Sequence, residues 1–254
     1  MREYLDQSEE RFRTVVHERA LKLPDHGAWE VTLLLIGHVP KHSANRGFLN
    51  LLSSSNPNYT GWPVWLDSRG FSDKSARPYV HQGTWEALIV SIGSDDLFDD
   101  IDFMRLDPRG RFYLRRALPD DMSSHRRQLK PFSVLDFGFP VVRTAEAIAV
   151  GMAFAKAMGF NPETTLLAFA FRWSRLRGRE LASWMEPMRH ISPGRQAYQN
   201  DVAAFVSVPL DTPLSAIGKF VNQAVQPLFE VFNGFVLSES VVEEFTRRVI
   251  ERGL

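Results

Sequence analysis

The sequence predicts an α+β fold: a single mixed or antiparallel central sheet with helices packed on it, an N-terminal amphipathic helix and two C-terminal helices. Three observations carry this. Leu5, Phe12, Val16, Ala20 and Leu23 fall near one face of a helix over 2–23, with Glu and Arg around the rest. Trp29–Ile36, Trp85–Ile92 and Thr164–Trp173 are apolar runs of strand length. Near the end of the chain, Val241, Val242, Phe245 and Val249 recur at core-facing helical spacing.

The first helix is expected to stop at Pro24, Asp25, His26 and Gly27. Gly37 closes the strand after it. Residues 38–82 are the least regular stretch, with a short helix near Phe48–Leu52 and anchoring through Tyr59, Trp62 and Trp65. The segment around Trp85 echoes that around Trp29, both preceded by glycine and followed by glycine, so both are placed in one sheet. Asp95, Asp96, Asp99, Asp100 and Asp102 make an acidic turn. Phe103–Leu106 and Arg111–Arg116 flank Asp107-Pro108-Arg109-Gly110, a tight reversal and hence a hairpin.

Residues 119–132 read as a polar loop. Val141–Met158 is a long Ala-rich helix ended by Gly159. Thr164–Trp173 is near-continuously apolar and so central in the sheet. Gly178–Met185 looks like a short helix, 186–200 a loop and Val202–Val208 a strand. Pro213–Phe232 and Ser238–Arg252 are helices, Ser238 serving as an N-cap. No linker is evident, so residues 1–254 count as one domain, with helix 2–23 as a docking element if the chain assembles.

Composition bounds the class. Hydrophobic residues are 44% and charged residues 24%, which is globular usage rather than disorder. No apolar run approaches the roughly 20 residues that span a bilayer, and the start, MREYLDQSEERFR, has no apolar signal core. With no Cys there is no disulfide, thiolate zinc site or Cys nucleophile, and a reducing cytoplasm is the expected location. Acidic and basic residues balance at 30 each, so no global attraction to nucleic acid or membrane is expected. Arg outnumbers Lys 24 to 6, which suits bidentate anion recognition but also follows from a GC-rich genome.

Three segments could carry chemistry. In Thr60-Gly61-Trp62-Pro63-Val64-Trp65, Trp62 and Trp65 could form a stacking platform for a planar ligand, or plug the end of the sheet. In 112–121, strand alternation puts Tyr113 and Arg115 on one face, and Leu114 and Arg116 on the other. The adjacent Asp120 and Asp121 could bind a metal or act as a base, with His125 four residues on. As turn residues they would instead pair with Arg115 or Arg116. In 171–184, a buried strand runs into Arg172, Trp173, Arg175 and Arg177, then a glycine, Arg179 and a helix, where an anion could be held. The bland reading is a solvated basic turn balanced by the acidic turn at 95–102.

Other signatures are missing. There is no G-x-x-x-x-G-K-[ST], no G-x-G-x-x-G and no G-x-S-x-G. His38 and His42 lack the Glu of H-E-x-x-H, and His81 and His190 stand alone. The six Arg within 172–195 leave a local nucleic-acid patch open.

The strings TGWPVW (60–65), FYLRRALPDD (112–121) and FRWSRLRGREL (171–181), in that order, resemble the C-terminal region of bacterial ATP-binding or helix-turn-helix proteins that begin with a Schlafen-AlbA-type domain. The resemblance spans 29–250 in patches. It implies an accessory or sensing region that works with an effector supplied in cis or in trans. It transfers no catalytic residues.

The leading expectation is a non-catalytic sensor or interaction module for a phosphate-bearing or planar ligand, or a protein partner. Its surface would join Trp62, Trp65, Arg115, Arg116, Asp120, Asp121, Arg172, Trp173, Arg177 and Arg179. The alternatives are a nucleic-acid binder using 172–195 and a metal-dependent hydrolase using Asp120 and Asp121. No motif specifies a cofactor or an oligomeric state.

Overall fold

The computed structural model describes residues 1–38, 40–93, 99–122 and 129–252. Asp95, Asp96 and His125, named above, lie outside the described residues. The chain forms one seven-stranded sheet in which every neighbouring pair is antiparallel. Five α-helices pack around it.

The strands are β1 (Ala28–Ile36), β2 (Tyr79–His81), β3 (Thr84–Ser91), β4 (Asp100–Asp107), β5 (Arg111–Ala117), β7 (Leu166–Trp173) and β9 (Val202–Pro209), in the spatial order β2-β3-β4-β5-β1-β7-β9. A separate parallel pair joins β6 (Val134–Asp136) to β8 (Glu180–Ala182). As expected, the two Trp-led strands share one sheet, though β4 and β5 lie between them. The hairpin also forms where expected. Gly110, at φ +78°, donates to the Asp107 carbonyl, and the Asp107 carboxylate caps the Arg109 N–H.

The two faces of the sheet are covered differently. On one lie α2 (Arg46–Ser55), α3 (Gly138–Ala157), α4 (Gly218–Glu230) and α5 (Glu239–Ile250). α3 is long and apolar enough to cross a membrane, but it is mostly buried against β1, β7, α2, α4 and α5. Ser238 caps α5 as expected, accepting from the Val241 N–H. Among the described residues, α1 (Arg2–Glu18) is the one helix on the other face. Its Tyr4, Leu5, Phe12 and Val15 are buried against Leu88, Ile101, Phe103, Tyr113 and Ala117. The apolar stripe expected for docking a partner is therefore covered by the chain's own sheet.

Three sequence expectations are corrected. The first helix ends at Glu18 rather than at residue 23. Ala20 turns left-handed at φ +50°, its N–H bonds the His17 carbonyl, and the Leu21 N–H bonds back to Val16. This is a Schellman closure with alanine where glycine is usual, so the sequence carried no stop signal there. The helix expected at Gly178–Met185 is instead the short strand β8, which gains its hydrogen bonds from β6. The 164–173 segment is an interior strand as its apolarity implied, but it stands next to the edge strand β9 rather than at the centre.

Candidate functional site

Cross-strand register assembles the site. Glu30 on β1 lies opposite Arg115 on β5 and opposite Arg172 on β7. Partners directly across a sheet share a face, and this face is the one under α1. Glu30 accepts from Arg172 Nε at 2.6 Å and Nη2 at 2.8 Å, and from the Tyr113 hydroxyl at 2.6 Å. Arg172 also reaches Asp6 and Glu9 on α1, each at 2.8 Å. This one guanidinium thus ties helix to sheet and is saturated with carboxylates.

Arg115 is placed differently. Its guanidinium carbon sits 4.3 Å from the centre of the Phe12 ring, a cation–π contact supplied by α1. Its Nη1 is 2.9 Å from His26 Nε2. Among the described residues it has no carboxylate at ion-pair distance, whereas Arg13, Arg172 and Arg175 around it each have at least one. Burial pulls the Arg115 pKa down. Burial and, next, the Arg115 charge push the His26 pKa down as well. The other ring nitrogen, Nδ1, is 2.7 Å from the Pro24 carbonyl, which can only accept. Nδ1 therefore carries the hydrogen, and Nε2 is the bare acceptor for Arg115. These side chains line an open cleft of about 620 Å³ between α1, the 23–26 loop and the β7 exit, with Ser174 and Asn200 on its rim.

A buried clamp holds the floor of the cleft in place. Arg179 and Asp121 have fully buried side chains and form a two-pronged ion pair. The Asp121 carboxylate also takes the N–H of Gly27, the residue after His26, at 2.6 Å and that of Phe132 at 2.7 Å. No side chain fits at position 27. A Cβ there would lie 2.7 Å from Arg179 Nη2, 2.7 Å from Leu118 Cδ1 and 2.8 Å from the Ser174 carbonyl. Asp120 is equally buried, and its Oδ1 accepts from the Asp136 N–H at 2.7 Å and the Trp184 indole at 2.8 Å. Burial pushes its pKa up to about 7.

The other expected site residues lie elsewhere. Arg116 is buried on the opposite face of β5. It donates two bonds to Asp102 and reaches the carbonyls of Trp62 and Pro63. The expected ion pair from Arg115 or Arg116 to Asp120 or Asp121 is thus replaced by Arg116–Asp102 and Arg179–Asp121. Trp62 donates its indole N–H to the same Asp102 at 2.9 Å. Trp65 and Trp173 are core residues: Trp65 packs on Phe112 and Phe154, Trp173 stacks on Phe171. Arg177 donates to the Tyr198 carbonyl at 3.3 Å. Of the expected set, only Arg115 and Arg172 meet in the cleft, and the tryptophan-bearing turn is on the other side of the sheet.

Within 172–195, Arg172, Arg175, Arg179 and Arg189 all pair with carboxylates, and Arg195 bonds the Asn233 carbonyl. Among the described residues no three His, Asp or Glu side chains are grouped to hold a metal ion.

Sequence reasoning missed Phe12 and His26 as cleft residues, and had Arg175 among the arginines where an anion could be held. The parity that put Tyr113 and Arg115 on one face was correct. Only the strand register could have revealed that α1 and the 23–26 loop cover that face. Comparison with family models, with curated proteins and with solved structures gave no match.

Proposed function

We propose that this chain is a non-catalytic recognition module that takes a small oxyanion in the cleft between α1 and the sheet. The observation that carries the reading is Arg115, a partly buried guanidinium that lines the cleft and, among the described residues, has no carboxylate at ion-pair distance. Taking a cation out of water without an anion is costly. Here a ring face and a neutral imidazole hold it in position and leave its remaining N–H groups to a ligand.

The rivals draw less support. The 172–195 arginines are mostly committed to internal carboxylates, which leaves little free charge for a nucleic-acid backbone. Asp121 is neutralised by Arg179, which argues against its use as a metal ligand or base. The resemblance seen in the sequence fits a module that reports its ligand to an effector in cis or in trans. The Cys-free composition supports a reducing cytoplasm as its location.

The test is a thermal-shift and calorimetric titration with sulfate, inorganic phosphate and acetate at low ionic strength. A ligand at a hundredfold over Kd stabilises by about 2.7 kcal/mol. The expected result is stabilisation by an oxyanion that Arg115→Gln abolishes and Arg115→Lys keeps in part. No response of the native protein to any of these anions, or full binding by Arg115→Gln, would overturn the reading.

A further inference from the structure

We infer that the oxyanion enters this cleft together with one proton taken by His26, so that Arg115 and an imidazolium close on a doubly charged group, such as a phosphate monoester, from two sides. This rests on the reading just given and specifies its ligand class.

With Nδ1–H bound to the Pro24 carbonyl, Nε2 accepts from Arg115 at 2.9 Å. Arg115 has donors only, so this contact exists only while His26 is neutral. A proton on Nε2 would set two donors and two positive charges against each other. An oxygen of an oxyanion placed between them accepts from both, and turns the repulsion into a bridge. Ligand and proton therefore favour one another, and by linkage the effect is reciprocal.

The groups facing His26 leave this role open. Arg115 on β5 and Arg175 beyond β7 both disfavour its protonation, while Asp121 below favours it. Asp121 is already engaged by Arg179 and Gly27. On α1, Glu9 is bonded to Arg13 and Arg172. On β1, Glu30 is bonded to Arg172 and Tyr113. At the rim, Asp25 pairs with Arg175, and Asp201 takes the Asn200 amide. Each cleft carboxylate thus has a partner other than His26. A doubly charged ligand matches two cations, whereas a single carboxylate matches one.

Sulfate is the first probe, because its charge does not change across the range used; inorganic phosphate and acetate are the comparisons. Sulfate affinity is measured by calorimetry from pH 8 to pH 5.5, each point in two buffers of different ionisation enthalpy. The expected result is tighter binding as pH falls, approaching but not exceeding tenfold per pH unit, the ceiling for one linked proton. Up to one proton should be taken up from the buffer, and acetate should bind more weakly than sulfate. His26→Gln should bind sulfate with a flat pH profile and no proton uptake. Sulfate binding that requires Arg115 yet is flat with pH in the native protein, or that keeps its slope in His26→Gln, overturns the two-sided closure and leaves the oxyanion reading standing. Absence of sulfate and phosphate binding at every pH overturns both. The native arm alone decides the matter if His26→Gln fails to fold.

Discussion

Asp121 and Arg179 lie 58 positions apart in sequence and meet as a fully buried two-pronged ion pair, which also pins the backbone of Gly27 and Phe132. A buried pair of this kind is costly to break from one side, because the surviving charge is left unmatched. Arg179→Met is expected to lower the unfolding free energy by about 3–5 kcal/mol. Asp121→Asn with Arg179→Met should cost clearly less than the sum of the single changes. Urea denaturation of the four proteins of the cycle measures this. Strict additivity would mean the pair is not coupled.

Gly27 is tied to the same clamp by space. The Ser174 carbonyl, 2.8 Å from where a Cβ would stand, is backbone and cannot swing away. Gly27→Ala is expected to destabilise by about 1–3 kcal/mol through overpacking. Because His26 is the neighbouring residue, the same change should weaken sulfate binding beyond what the loss of stability explains. Sulfate titration well below the melting transition separates the two effects.

These contacts mark what the sequence made legible. Periodicity placed α1, α4 and α5, an Ala-rich run ended by Gly159 placed α3, and the apolar runs placed β1, β3 and β7. Their signals are local, as are the turn residues Pro108 and Gly110. The parity of Tyr113 and Arg115 was also readable. Pairing partners were not. Arg116 meets Asp102 because β4 and β5 put them opposite each other, and that register is fixed by packing rather than by either segment alone. β6 and β8 are three residues each and are held by one another across more than forty positions, β8 also by the 195–197 segment, so nothing local betrays them. The arginine-rich and aspartate-rich strings drew attention as surface recognition elements. Arg116, Arg179, Asp120 and Asp121 are instead among the charged groups the fold buries.

Asp120 gives a pH prediction. Its carboxyl is held at about 7 by burial, against an ordinary carboxylate value near 3.9 when unfolded. Between about pH 4 and pH 7 the folded state therefore binds more protons than the unfolded state. The stability this group contributes is complete below pH 4 and is lost as pH rises through 7. Asp100, also raised to about 7 by burial and by Asp102, acts in the same direction. His26, with its pKa lowered, acts the opposite way. The expected outcome is that Asp120→Asn, whose amide oxygen can still accept from Asp136 and Trp184, narrows the loss of stability between pH 5 and pH 8. Denaturation curves at both pH values test this; an unchanged pH difference would show that Asp120 is ionised throughout.

Phe12 joins the core to the cleft. Its ring packs 5.7 Å from Phe103 on one side and lies under the Arg115 guanidinium on the other. Phe12→Ala removes both and is expected to cost about 3–5 kcal/mol, loosening α1 from the sheet. Phe12→Leu keeps most of the apolar volume but has no π face. It should cost less in stability, yet release a guanidinium contact worth up to about 2 kcal/mol where water is excluded. If the ring positions Arg115 for a ligand, Phe12→Leu will weaken sulfate binding several-fold under conditions where the variant is still fully folded. A leucine variant that binds sulfate as tightly as the native protein would reduce the ring to a core residue, and would leave His26 alone to hold the arginine in place.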